Sequence, residues 1–439
     1  MADHTVVELA TPPASGQWKH LGELARLFLK LGITAFGGPA AHIALMEDEV
    51  VRRRGWLTHA EFVDLLGATS LIPGPSSTEA AIFIGWHRAR WAGLLVAGFC
   101  FILPAALMVT ALAWAYVRFG TLPSALGVLY GVKPVIIAVV AQALWRLGRS
   151  TLKTKRLFAA AALALFLCLI GIDVLVILFG TGLGMAVTQS LRERPGRSEG
   201  TWVAAPLAVA PHGLVAGAAA TVPVGLGALF LFFLKVGSVL FGSGYVLLAF
   251  LRADLVVRWG WLTEGQLLDA IAIGQMTPGP VFTTATFIGY ILAGVPGAVV
   301  ATVGIFLPSF IFVALIGQLL PRVRRSRTAG AFLDGVNVAS LALLAAVTWE
   351  LGRAAIIDGT TAGLAVAGGV LLARGRLNSV WLLLAGAAIG LAVGGIDSSR
   401  PDEPHGMSSI GSAQRCPGLV AGPVSTGVSS TLPQSDQPR

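Results

Sequence analysis

The sequence predicts an all-α polytopic membrane protein whose two homologous halves form an inverted repeat, with helices broken at two Pro-Gly-Pro motifs. Composition, an internal repeat and the placement of basic loops predict it. Of 439 residues, 55% are apolar and only 12% are charged, about half the charged share of a soluble domain. Mean hydropathy is +0.78, and apolar runs of spanning length recur from Leu24 into the 390s. A soluble chain this long would divide into domains with charged surfaces, and too few charges are present to make them. The lipid bilayer is the expected solvent for most of the surface.

The repeat is explicit. Lys30-Leu31-Gly32 recurs as Lys235-Val236-Gly237, Gly55-Trp56-Leu57-Thr58 as Gly260-Trp261-Leu262-Thr263, and Asp64 as Asp269, each 205 residues on. Pro73-Gly74-Pro75 returns as Pro278-Gly279-Pro280 at the same offset. After a one-residue slip the offset is 204, pairing Phe83-Ile84-Gly85 with Phe287-Ile288-Gly289 and Leu103-Pro104 with Leu307-Pro308. It holds through Trp145 and Leu147-Gly148-Arg149 against Trp349 and Leu351-Gly352-Arg353. Chance does not keep an offset over so long a stretch, so the chain is a duplication.

Taken in order, residues 1–21 are expected to be a cytoplasmic N-terminal segment without a cleaved signal, because Asp3 and Glu8 stand where a basic n-region belongs. The first repeat, 22–190, holds candidate spans at 22–46, 61–86, 92–117, 125–145, 157–171 and 173–190. A linker at 191–226 carries a weaker apolar run at 203–224. The second repeat, 227–396, holds 228–250, 266–291, 296–320, 332–350, 357–373 and 378–396, for about 12–13 segments in all. The Pro-Gly-Pro motifs interrupt 61–86 and 266–291, which makes each either a broken helix or a re-entrant pair. The tail, 397–439, is rich in Ser, Pro and Gly and reads as disordered.

Corresponding loops differ in charge. The first half has His87-Arg88-Ala89-Arg90 where residues 291–296 are uncharged, and Arg118 alone where the second half has Arg322, Arg324, Arg325 and Arg327. One loop later, Arg146, Arg149, Lys153, Lys155 and Arg156 face a counterpart with only Arg353. The positive-inside rule then orients the halves oppositely. It also places Arg52-Arg53-Arg54 outside, against the rule, beside Glu47, Asp48 and Glu49.

Other chemistries lack a signature. Cys100, Cys168 and Cys416 form neither a disulfide framework nor a metal-ligand pattern. There is no P-loop, HExxH, CxxC or GxSxG, so no ATP drive, metal, cofactor or enzyme activity is expected. The basic clusters lack interleaved aromatics, which argues against nucleic acid. The net charge of +9 is chiefly that of positive-inside loops. Nothing in the sequence sets an oligomeric state.

The candidate site is built from pairs. Interrupted helices that meet near the midplane from two inverted repeats form transporter binding sites. A half-helix after each break would aim a positive dipole end, N–H groups and hydroxyls at the membrane centre, as an anion cradle. The residues are Pro73, Gly74, Pro75, Ser76, Ser77 and Thr78, and Pro278, Gly279, Pro280, Thr283 and Thr284. A packing kink is the plainer alternative. Lys30 and Lys235 are a matched pair; Lys235 stands in an apolar run, where a bare ammonium is costly unless an anion offsets it. Snorkelling to an interface is the other explanation. Gly37 and Gly38, with Gly242 and Gly244, let backbone approach either a ligand or another helix. Glu79 has no acidic counterpart and is the candidate for carrying a coupling proton, or else complements a helix start. Asp64 and Asp269 read as interfacial caps, and His42, Gln275 and Asn337 as possible pathway groups.

Phe36-Gly37-Gly38-Pro39, Arg54-Gly55-Trp56-Leu57, Pro73-Gly74-Pro75 with Phe83-Ile84-Gly85, and their repeats resemble the chromate ion transporter (CHR) family, long two-domain type, over residues 24 to 396. The resemblance implies a multi-pass protein of the bacterial inner membrane that exports chromate and confers resistance to it. A carrier of sulfate or another oxyanion, and a passive anion channel, are the alternatives.

Overall fold

The structure is a computed structural model that describes residues 14–36, 38–69, 72–120, 122–192, 224–240, 247–323, 327–374 and 379–397. Every regular element among them is helical. The first half runs α1 (Ala14–Thr34), α2 (Gly38–Glu47), a π-helix (Asp48–Arg53), α3 (His59–Thr69), α4 (Ser76–Phe119), α5 (Pro123–Thr151), α6 (Lys155–Leu169) and α7 (Val174–Arg192). The second repeats it as α8 (Leu226–Val239), α9 (Leu247–Phe250), a π-helix (Leu251–Arg258), α10 (Glu264–Met276), a 3-10 turn (Val281–Thr283), α11 (Thr284–Val323), α12 (Arg327–Ala355), α13 (Gly359–Ala373) and α14 (Ser379–Asp397). Among the described residues, five stretches are long and apolar enough to cross a membrane: Ser76–Phe119, Ser124–Thr151, Val174–Leu191, Val281–Leu315 and Gly330–Ala355. The expected extra span at 203–224 and the tail from 398 lie outside the described residues.

At 1.5 Å per residue, the 44 residues of α4 would reach about 66 Å, twice the hydrocarbon thickness. The helix turns back on itself instead. Ala89 and Arg90 leave helical geometry, Arg90 with φ 51°. Gly85 and Gly93 then touch: a Cβ on either would lie 2.2 or 2.1 Å from the other's carbonyl oxygen. The second half repeats this at Ala293 and Gly294, with Gly289 against Gly297. Glycine is needed because backbone meets backbone.

The first segment also folds back. Arg88, at the end of the first arm of α4, binds Glu23 in the first half of α1 at 3.1 Å. Its guanidinium also stacks 5.0 Å from the ring of Trp56, which precedes α3. Three chain points thus meet on one face, so α1 with α2, and α3 with the first arm of α4, are two hairpins whose tips enter the protein. Residues 22–46 are therefore two helices rather than one span. Arg52, Arg53 and Arg54 lie on the same face as the start of α1, which corrects the expectation that they face the other side. The repeated Gly-Trp-Leu-Thr motif makes the base of each hairpin pair. Gly55 and Gly260 take φ +59° and +64°, and Thr58 and Thr263 cap α3 and α10 through Glu61 and Gln266.

The second arm of α4 leaves this face, and its end meets the other half. Tyr116 Oη donates to Asp269 Oδ2 on α10 at 2.8 Å. So α10 starts from the opposite face to α3, and the halves are inverted. Gly98 against the Phe310 ring gives the antiparallel contact of the two long arms.

The helices are exchanged between halves. Gly127 and Gly131 of α5 lie against Gly390 and Gly386 of α14, and Gly335 of α12 lies against Thr181 and Gly182 of α7. Gln142 of α5 also donates to the Leu372 carbonyl of α13. Leu95, Phe99, Leu107, Trp114 and Val117 are exposed on the long arm of α4, as a lipid-facing surface requires.

Candidate functional site

Each Pro-Gly-Pro loop is the buried tip of one hairpin and docks on the tip of a hairpin from the other half. The Gly74 N–H donates to the Leu240 carbonyl at 2.6 Å, beyond the end of α8. The Gly279 N–H donates to the Ala35 carbonyl at 3.0 Å, beyond the end of α1. Proline supplies no N–H, so the glycine between two prolines is the one residue of each motif able to make this bond. Gly74 does so at φ +140° and Gly279 at φ +93°, which a side chain resists.

Polar groups gather at the first tip. Thr78, Glu79 and Ser309 are each 0% exposed. Among the described residues, Thr78 Oγ1, both carboxyl oxygens of Glu79 and Ser309 Oγ have no hydrogen-bond partner. A Cβ on Gly74 would lie 2.3 Å from Glu79 Oε1 and 2.6 Å from Ser309 Oγ, so these two converge on this glycine, with Thr78 the residue before Glu79 on α4. Ser309 comes from α11, in the other half. Beside them His42, also buried, sets Nδ1 3.3 Å from Ser77 Oγ and Nε2 3.1 Å from the Ala35 carbonyl. It thereby ties the first loop to the oxygen that receives Gly279.

The second tip is chemically different. A Cβ on Gly279 would lie 2.7 Å from the Ala105 methyl and 3.2 Å from the Gly32 carbonyl oxygen. Thr283 and Thr284 donate to the Pro280 and Val281 carbonyls at 2.8 and 2.9 Å, which satisfies both hydroxyls locally.

The lysines find carboxylates within their own halves. Lys30 Nζ lies 2.8 Å from Glu49 Oε1, and Lys235 Nζ 2.7 Å from Asp254 Oδ2. These carboxylates are 205 residues apart, like the lysines, and both stand on π-helices. Arg54 also reaches Glu49, at 3.3 Å, and Arg258 reaches Asp254, at 3.7 Å. The counter-charge expected from an anion is supplied by the chain itself.

Asp64 and Asp269 have diverged. Asp64 is exposed, while Asp269 is buried and pairs with Lys133 of α5 at 3.1 Å as well as with Tyr116. Asp269, Lys133 and Tyr116 border a cavity of about 250 Å³ with Tyr130 and Thr361, at the opposite face from Trp56. Gln275 and Asn337 are half-buried on α10 and α12.

The junction gathers two hydroxyls and one carboxyl away from the surface. An ionised carboxylate there is expensive unless a proton or a bound group offsets it. The description "Chromate transporter" belongs to a family model that matches the chain twice, at residues 22–186 and 227–391. The chain belongs to the chromate transporter family. The chromate transport protein of Cupriavidus metallidurans is 33% identical over 375 residues, covering 84% of this chain and 92% of that protein. That of Pseudomonas aeruginosa is 32% identical over 405 residues, covering 89% and 96%. A probable chromate transport protein of Synechococcus elongatus is 31% identical over 342 residues, covering 77% and 86%. No solved structure gives a significant match.

Within this member of the chromate transporter family, the candidate residues fall into three groups. Pro73, Gly74, Pro75, Ser77, Thr78 and Glu79 are brought together, with Ser76 opening α4. Pro278, Gly279, Pro280, Thr283 and Thr284 form the second tip, while Lys30 and Lys235 stand in their ion pairs. Gly38 opens α2 with φ +78°; Gly37, Gly242 and Gly244 lie outside the described residues. Sequence reasoning missed Ser309, Glu49 and Asp254. Ser309 was detectable, since Leu307-Pro308-Ser309 matches Leu103-Pro104-Ala105 and the hydroxyl is the difference.

Proposed function

We propose that the chain is a secondary transporter that exports chromate across the bacterial inner membrane and so confers resistance to it. The observation that carries the reading is the group of unpartnered buried oxygens on Thr78, Glu79 and Ser309 at the Gly74 loop, where hairpins of both halves meet. Hydroxyls donate to an oxyanion, and Glu79 is the group that carries a coupling proton. In this reading Lys30 and Lys235 exchange Glu49 and Asp254 for the anion on its approach, and Gly38, at φ +78°, lets backbone come close. Retention of full resistance by Lys235→Ala at equal expression would remove the lysine from this reading.

Energetics favour outward movement. With the interior negative by about 100 mV, a dianion leaving the cell gains roughly 4–5 kcal/mol. The N-terminus is assigned to the cytoplasm by charge. Arg52, Arg53, Arg54, Arg88 and Arg90 stand on the face where α1 begins, and α5 returns to it with Lys153, Lys155 and Arg156 beyond.

The test is chromate accumulation in respiring everted vesicles, with and without an uncoupler. Uncoupler-sensitive uptake that excess sulfate barely reduces is expected. Uptake abolished by sulfate moves the substrate to sulfate, a dianion of the same shape. Passive flux that follows the reversal potential makes the protein a channel.

A further inference from the structure

The two Pro-Gly-Pro junctions are related by the repeat, yet only one keeps open polar chemistry. At Gly74 the fully buried Glu79 and Ser309, one from each half, converge, and among the described residues neither they nor the neighbouring Thr78 hydroxyl has a partner. The positions that correspond to Glu79 and Ser309 in the other junction are Thr284, 205 residues on, and Ala105, 204 residues back. There the threonine hydroxyl is bonded to Val281 and the alanine methyl packs on Gly279. We infer that the oxyanion and a proton bind together in a single site, made by Gly74, Thr78, Glu79 and Ser309, and that the Gly279 junction takes neither. This rests on the oxyanion reading above and fixes the sign of its proton coupling.

The sign follows from charge. An ionised Glu79 would repel a dianion held by Thr78 and Ser309, strongly so away from water. A neutral Glu79 has an O–H to donate, as do both hydroxyls, so all the groups around the anion become donors. Among the described residues no charged side chain acts on Glu79. α4 presents Thr78 and α11 presents Ser309, neither of which titrates in this range. His42 of α2 is the titratable group beside them, and both its ring nitrogens are engaged by Ser77 and Ala35. Occupancy by the anion therefore favours protonation of Glu79, and protonation favours the anion by the same factor. Proton and anion cross in the same direction rather than in exchange, so the unit that crosses carries one net negative charge and draws half the electrical driving force of the bare dianion.

The experiment titrates chromate into the purified full-length protein in detergent, weakly buffered on the alkaline side where chromate is the dianion, with a pH indicator. One proton is taken up per chromate bound, and affinity rises about tenfold for each pH unit lowered while Glu79 titrates. Glu79→Gln binds chromate without proton uptake and with pH-independent affinity. Ser309→Ala weakens binding at least tenfold and Ser309→Thr restores it, whereas Ala105→Ser leaves it unchanged; melting temperatures verify that each variant is folded. Proton release, no proton movement in the wild type, uptake persisting in Glu79→Gln, or unweakened binding by Ser309→Ala overturns the inference and leaves the oxyanion reading standing. Failure of the folded wild type to bind either chromate or sulfate overturns the oxyanion reading itself.

Discussion

The backbone N–H of Gly74 reaches the carbonyl of Leu240 over 2.6 Å, and the same bond, shifted by 205 residues at both ends, joins Gly279 to Ala35. Each half thus completes the other's broken hairpin. The pair of bonds is the centre of the inverted repeat, and the unpartnered oxygens of Glu79 and Ser309 lie beside one of them.

Gly74→Ala tests that centre. The methyl would meet Glu79 Oε1 at 2.3 Å and Ser309 Oγ at 2.6 Å, at φ +140°. Backbone strain of this kind costs about 1–3 kcal/mol. Chromate uptake into everted vesicles is expected to fall at least tenfold, with the protein still inserted.

The fold-back of the first hairpins predicts accessibility. In a background lacking Cys100, Cys168 and Cys416, Thr58→Cys reacts with an impermeant maleimide from the same side as Lys19→Cys. Thr263→Cys, its repeat partner, reacts from the other side. Labelling of Thr58 and Thr263 from one side would refute the inverted arrangement.

Helix exchange predicts an uneven response to added methyls. A Cβ on Gly131 would stand 1.9 Å from the Gly386 carbonyl oxygen, whereas one on Gly148 would have 3.9 Å to its nearest neighbour. Gly131→Ala is expected to destabilise by about 1–3 kcal/mol and Gly148→Ala to be neutral. Thermal unfolding in detergent distinguishes them.

The matched ion pairs are open to a double-mutant cycle. Asp254 is buried, but Lys235 keeps 34% of its side chain exposed, so the pair is worth less than a fully enclosed one. Lys235→Ala and Asp254→Asn are expected to couple by about 0.5–2 kcal/mol, read from unfolding midpoints. Additive effects would remove the pair from the account.

Asp358 predicts a pH effect. It accepts the Thr361 N–H as N-cap of α13, and this backbone bond, then Tyr130, holds its carboxyl below the usual range. A depressed carboxylate adds stability above its unfolded pKa, and that stability is lost as pH falls through the folded value. Asp358→Asn keeps the cap without the charge, so its melting temperature should approach that of the wild type as the solution is acidified. A constant gap would reject the linkage.

Much of this was legible in the sequence because duplication prints every structural requirement twice. The glycines at Gly85 and Gly93, the prolines around Gly74 and the capping threonines Thr58 and Thr263 all announce themselves by recurring. Fold-back was hidden, since an apolar run such as 22–46 has the same composition whether it crosses once or turns at Gly38. The partners of Lys30 and Lys235 were hidden because 19 residues separate each lysine from its carboxylate, and the spacing has meaning only after the hairpin closes. Ser309 was legible but passed over by looking for similarity between the halves, when the proposed site is where they differ.

The exchanged helices also bear on how the chain is made. Gly131 leaves the ribosome 255 residues before Gly386, the neighbour it packs against. At about 5–20 residues per second this is roughly 13–50 s. During that interval a bare glycine stripe of α5 waits in the membrane, and helices of other nascent chains are its competitors.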